Sequence, residues 1–74
     1  MLYILININP DGDTYKLYNY TEEGLKQAQA DFEESKEEFI TGAVLAEVEP
    51  GQEFGFGNRG HFFGGRVLQE WNEA

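Results

Sequence analysis

Leu2-Tyr3-Ile4-Leu5-Ile6-Asn7-Ile8, followed at once by Asn9-Pro10-Asp11-Gly12-Asp13, is the stretch on which the fold turns. Side chains two apart in an extended chain share a face. Leu2, Ile4, Ile6 and Ile8 therefore point one way, and Tyr3, Leu5 and Asn7 the other, which predicts a strand. Proline presets φ, glycine accepts positive φ and Asx side chains bond locally, so residues 9–13 predict a turn. Thr14–Tyr20 then reads as the returning strand of a hairpin. A loop over Pro10–Asp13 sets Ile6 opposite Leu17 and Ile8 opposite Tyr15, leaving Tyr3, Leu5, Tyr18 and Tyr20 on the other face.

Downstream, Thr21 before Glu22-Glu23 is a helix start: a hydroxyl to cap the first turn, and acids at the positive end of the dipole. Leu25, Ala28, Phe32, Ser35 and Phe39 recur at helical spacing, predicting a helix from Glu22 to about Phe39 with Gly42 at its C-terminal cap. Ala43–Glu49 reads as a third strand with Val44, Ala46 and Val48 on one face, and Pro50-Gly51 as a turn. Gln52–Phe56 and Phe62–Trp71 read as fourth and fifth strands. The expectation is an α+β domain of order ββαββ, a twisted antiparallel sheet with one helix across one face, forming a single domain over residues 1–74. The opening hairpin and Thr-initiated helix resemble the start of β-grasp domains. That resemblance covers about half the chain and implies layout alone, because such layouts host many unrelated functions.

Composition narrows the class. A chain of 74 residues without cysteine has no disulfide or thiolate metal site and depends on packing. Its 41% hydrophobic and 15% aromatic content predicts a folded domain. The N-terminal apolar run lacks a basic flank and is too short to span a bilayer, which predicts a cytoplasmic protein without membrane association. Fourteen acidic against five basic residues give a net charge of −9. Such a surface repels phosphate backbones and attracts basic proteins, so direct binding to nucleic acid is not expected.

The acids concentrate on the helix. Residues 21–39 hold seven (Glu22, Glu23, Asp31, Glu33, Glu34, Glu37, Glu38) against two lysines. On a helical projection Glu23, Glu33, Glu34, Glu37 and Glu38 lie opposite the apolar stripe. Like charges at i,i+4 cost about 0.2–0.5 kcal/mol per pair, and the negative end of the dipole disfavours them further. A face that works against its own helix suggests a second role, docking into a basic groove; the plain alternative is an ordinary solvated face.

Residues 54–66 are the opposite in character, with five glycines, four phenylalanines, both arginines, the single histidine and no acid. Phe54, Phe56 and Phe63 are expected to pack on the helix, leaving Asn58, Arg59 and His61 at an exposed tip as partner contacts; Arg59 and Arg66 could equally pair with glutamates. Gly55-Phe56-Gly57-Asn58-Arg59-Gly60 matches G-x-G-x-x-G in spelling, but without the strand before it, the helix after it or the later acidic ribose ligand of a dinucleotide site. The tyrosine face (Tyr3, Leu5, Tyr18, Tyr20) is expected to be an apolar patch for self-association into a homodimer, unless the segment with Trp71 covers it.

Asn9-x-Asp11-x-Asp13 has the spelling of a calcium loop, yet Tyr20 stands where the bidentate Glu belongs. One serine, one histidine and no cysteine offer no nucleophile with an orienting shell. The expectation is a non-enzymatic protein without metal or cofactor. In size, charge and element order the chain resembles the small acidic anti-defence proteins of phages, such as anti-CRISPR and anti-restriction proteins. That resemblance of build implies a stoichiometric inhibitor in the host cytoplasm, a nucleic-acid mimic occupying a basic or effector site of a bacterial defence complex. On that reading Glu33, Glu34, Glu37 and Glu38 engage the partner, with Asn58, Arg59 and His61 as a second contact. Two other classes remain open: a homodimeric module on the tyrosine face, and a sponge in which the Gly55–Gly65 loop and a dimer seam cradle an anionic signalling ligand at Arg59 and Arg66.

Overall fold

In the computed structural model, residues 1–38, 41–57 and 60–72 are described. Strand β1 (Leu2–Ile8) pairs antiparallel with β2 (Thr14–Asn19) on one side and β3 (Gly42–Val48) on the other, and β3 pairs antiparallel with β6 (Gly65–Asn72). The four-stranded order is β2-β1-β3-β6. Helix α1 (Glu22–Ser35) crosses one face, and a separate ribbon, β4 (Gly55–Phe56) with β5 (Phe62–Phe63), lies on the other. The α+β class and antiparallel sheet agree with the sequence reading. The strand order does not, because the glycine-rich segment forms its own ribbon. Among the described residues no helix is long and apolar enough to cross a membrane.

The hairpin register is two residues from the expected one: Ile4 faces Leu17 and Ile6 faces Tyr15. Ile8 is occupied on its other side, opposite Gly42, and its carbonyl accepts from both the backbone N–H and the hydroxyl of Thr41. The turn closes beyond it, with Gly12 N–H donating to the Asn9 carbonyl at φ +133° and the Asp13 carboxylate accepting from Asn9 N–H. A slip of two preserves which side chains share a face.

Which face the helix covers is reversed. Ala28 and Phe32 of α1 pack with Tyr3, Leu5, Tyr18, Ala43 and Leu45, with Leu25, Leu68 and Trp71 at the margin. The face of Ile4, Ile6, Val44, Ala46 and Val48 is closed by Phe54, Phe56 and Phe62 of the ribbon segment. Polar tips explain the choice. A buried tyrosine needs a partner for its hydroxyl, and the helix side supplies Asp31 to Tyr18, while the half-exposed Tyr20 reaches Glu47 of the sheet. The isoleucine face carries one tyrosine, Tyr15, which is half exposed at the sheet edge and can leave its hydroxyl to solvent, so phenylalanines suffice. Two expectations are thereby corrected. Tyr3, Leu5 and Tyr18 are 8, 3 and 7% exposed beneath the helix and cannot form a self-association patch; Tyr20 is stacked on Tyr3 at 4.7 Å. Phe54 and Phe56 sit on the face away from the helix, and Phe63 is exposed.

Thr21 caps α1 as expected, its hydroxyl accepting from Gly24 N–H at 3.0 Å. Gly24 itself is required by proximity: a Cβ there would lie 1.9 Å from the Asn19 carbonyl oxygen. The helix is shorter than expected. It stops at Ser35, capped by Lys36, and residues 36–38 follow in a tightened turn of i→i+3 bonds. Its last turn carries no basic residue to offset the dipole. Gly42 is not the cap but the first residue of β3. Phe39, expected on the apolar stripe, lies outside the described residues.

Strand β6 carries a bulge: Leu45 faces Gln69 while Ala46 faces Val67, so Leu68 is the extra residue. This changes the alternation midway. Arg66 and Trp71 are an odd number apart, yet Arg66 reaches Glu47 and Trp71 packs with the helix-side core.

Candidate functional site at the C-terminal end of the helix

Glu33, Glu34, Glu37 and Glu38 are all exposed, the first two in the last turn of α1 and the others in the turn beyond it. They do not form a continuous helical face, because the chain leaves the α-helix between them. Glu33 is paired with Lys36 at 3.2 Å across open solvent, an interaction worth well under about 1 kcal/mol.

Beside these acids runs a groove of about 390 Å³ between the end of α1, β1 and β2, bordered by Asn7, Lys16, Tyr18, Asp31, Glu34 and Glu38. Asp31 organises it. Its carboxylate accepts from Tyr18 Oη at 2.6 Å, Gln27 Nε2 at 3.0 Å and Lys16 Nζ at 3.3 Å. The Tyr18 bond, with help from Lys16 and Gln27 and against some burial, holds the Asp31 carboxyl below its ordinary value. Burial, then the hydrogen bond and the charge of Asp31, push the Tyr18 phenol well above the ordinary tyrosine range. Asn7 Oδ1 is buried with no hydrogen-bond partner among the described residues. Sequence reasoning placed Asp31 among the helix acids but missed the groove, because Lys16 and Tyr18 approach it only through the hairpin's packing.

A second network lies toward the start of α1. Glu47, 7% exposed on the all-buried strand β3, accepts from Arg66 at 2.5 Å and from Tyr20 Oη at 3.2 Å. Arg66 is the main reason its carboxyl is held low. One of the two arginines proposed for an anion cradle is thus already committed, on the helix side of the sheet. Ser35 is committed too: its hydroxyl donates to the Phe32 carbonyl and accepts from Trp71 Nε1 at 2.9 Å.

His61 is exposed next to the β4–β5 ribbon, its carbonyl accepting Gly57 N–H at 2.8 Å. A cleft of about 230 Å³ lies beside it, bordered by Ile8, Val44, Phe56, Glu70 and Trp71. The ribbon covers the sheet face opposite α1, so His61 and the four glutamates are not brought into one site. Asn58 and Arg59 lie outside the described residues. Among the described residues no group of three or more His, Asp or Glu side chains is placed to hold a metal ion. Compared with family models, curated proteins and solved structures, the chain shows no match.

Proposed function

We propose that this domain is a non-catalytic binding protein whose acidic helix end engages a basic protein surface. In its sharper form it is a small inhibitor that occupies a basic nucleic-acid-handling or effector site, as the anti-defence proteins it resembles in build do. The observation that carries the reading is the placement of Glu33, Glu34, Glu37 and Glu38: exposed, clustered at the negative end of α1 and, among the described residues, offset by a single solvent-exposed lysine pair. That arrangement lowers the stability of the helix end while concentrating negative potential on one edge of the molecule, where it would steer a basic partner. The alternatives lose support. The tyrosine face is under the helix, and Arg66 is held by Glu47.

The test is capture of partners from bacterial lysate by the tagged chain at low and moderate salt, beside a variant with all four glutamates changed to lysine. We expect a nucleic-acid-handling partner that is lost at moderate salt and lost in the variant, with the circular dichroism of the two proteins superimposable. Identical partners for both proteins would sink the reading.

A further inference from the structure

Strand β2 ends the sheet at one edge, and alternate residues of Thr14–Asn19 direct their N–H and C=O groups away from β1 with no described strand beside them. The other edge, β6, is interrupted by its bulge; β2 pairs without a register break. On the helix side, β2 presents Thr14, Lys16 and Tyr18 to the groove that holds Asp31, Glu34 and Glu38, three carboxylates against one ammonium already engaged by Asp31. On the opposite side it presents Tyr15 and Leu17, 52 and 54% exposed. No residue of β2 is acidic.

We propose that the β2 edge takes an extended segment of the partner protein as a fifth strand, one in which basic and apolar residues alternate. This rests on the acidic-end reading and specifies how the partner is held. A strand added about 4.8 Å beyond β2 sends alternate side chains to opposite faces of the sheet. Lysines or arginines on one side enter the carboxylate groove, and the intervening apolar residues lie against Tyr15 and Leu17. Main-chain bonds along the edge supply affinity, and the charged groove with the apolar pair supplies selectivity. A second copy of the chain is a poorer occupant at a net charge of −9 per molecule, since helices brought side by side by edge pairing repel one another.

The experiment titrates the intact ¹⁵N-labelled protein with acetyl-Lys-Val-Lys-Val-Lys-Val-amide, and with the same peptide carrying proline in place of two valines. The second keeps every charge but cannot form the ladder. We expect the alternating peptide to shift and protect the outward amides of β2 and to shift Asp31 and Glu34, with the proline peptide at least about tenfold weaker. The exposed double variant Glu34→Gln/Glu38→Gln should weaken the alternating peptide several-fold and flatten its salt dependence. Equal binding of both peptides, with shifts on residues 33–38 alone, overturns the added strand and leaves the acidic-end reading standing. Absence of β2 shifts with either peptide overturns the added strand, while the charge-reversal capture judges the acidic end separately. Concentration-dependent protection of β2 without peptide overturns the proposal in favour of a second copy.

Discussion

The two faces of the sheet are both apolar, yet they are closed by different means. On one, a helix of 14 residues is anchored by polar contacts at its flank and its end: Tyr18 to Asp31, and Ser35 to Trp71. On the other, strands of two residues each are held by phenylalanines against Ile4, Ile6, Val44, Ala46 and Val48. Among the described residues no side-chain hydrogen bond joins the ribbon to the sheet. Apolar contact is nondirectional, so it closes a face without specifying the cover closely. Polar tips select one geometry, because a buried unpaired hydroxyl or carboxylate is expensive. The helix face should therefore be the more rigid half of the molecule, and the ribbon face the half that opens first.

The hardest blow to that comparison is struck at Leu45, fully buried on the central strand beneath the helix. Leu45→Ala should cost about 2–5 kcal/mol, a large share of the stability of a domain this size. Phe62→Ala, on the half-buried ribbon, should cost about 1–2 kcal/mol, less than a fully buried phenylalanine. Urea denaturation gives both values, and amide exchange shows where each acts. Phe62→Ala should speed exchange in the ribbon and leave α1 unchanged. Equal costs, or ribbon and helix exchanging together, would show that the two faces are a single unit.

Ser35→Ala tests the polar anchoring directly. Trp71 Nε1 then loses its acceptor in a partly buried position, at a cost of about 1 kcal/mol. As the sole tryptophan, Trp71 reports on itself, and its emission should move to the red as water replaces the hydroxyl. An unchanged spectrum and stability would mean that packing alone holds the helix end.

The helix face should also be the pH-sensitive one. Asp31 and Glu47 have carboxyls held below their ordinary values of 3.8 and 4.5, chiefly by Tyr18 and Arg66 respectively. A depressed folded pKa contributes stability that is present above the unfolded value and lost as pH falls through the folded one. Melting temperature should thus hold steady above about pH 5 and fall below pH 4, and Asp31→Asn should make that fall shallower. Tyr18 runs the other way. Its phenol is raised by burial first, so its contribution is complete below pH 10 and is lost as pH climbs beyond it. An acid limb unchanged in Asp31→Asn would remove Asp31 from the account.

Much of this architecture could be read along the chain. The alternation of residues 2–8, the Thr21 cap, the Leu25/Ala28/Phe32/Ser35 stripe and the Val44/Ala46/Val48 face are local patterns with one interpretation, and the structure has them. What local pattern could not supply was the choice between two apolar faces. Alternation says which residues share a face and is silent about what covers it. Nor could it reveal the bulge at Leu68, which puts Trp71 rather than Glu70 opposite Ala43. The groove was hidden for the same reason: Asn7, Lys16, Tyr18 and Asp31 come from three elements, and none has a distinctive spacing. The acidic cluster was visible as composition, but its geometry was not, because the helix ends in the middle of it.

The smallest effect has the opposite sign from the rest. Glu34 is exposed in the last turn of α1, one residue before its end. Glu34→Lys places a cation where the dipole favours one and relieves repulsion from Glu37 and Glu38, so it should stabilise the domain by about 0.3–1 kcal/mol. The same change should weaken capture of a basic partner. Gain in stability with loss of binding is the signature of a residue kept for contact rather than for folding. Loss of stability instead would show that Glu34 supports the helix end through the groove, and the acidic end would then belong to the scaffold. Urea midpoints for wild type and variant at low ionic strength separate the two, and the difference should shrink in 1 M salt, where screening falls to about 3 Å.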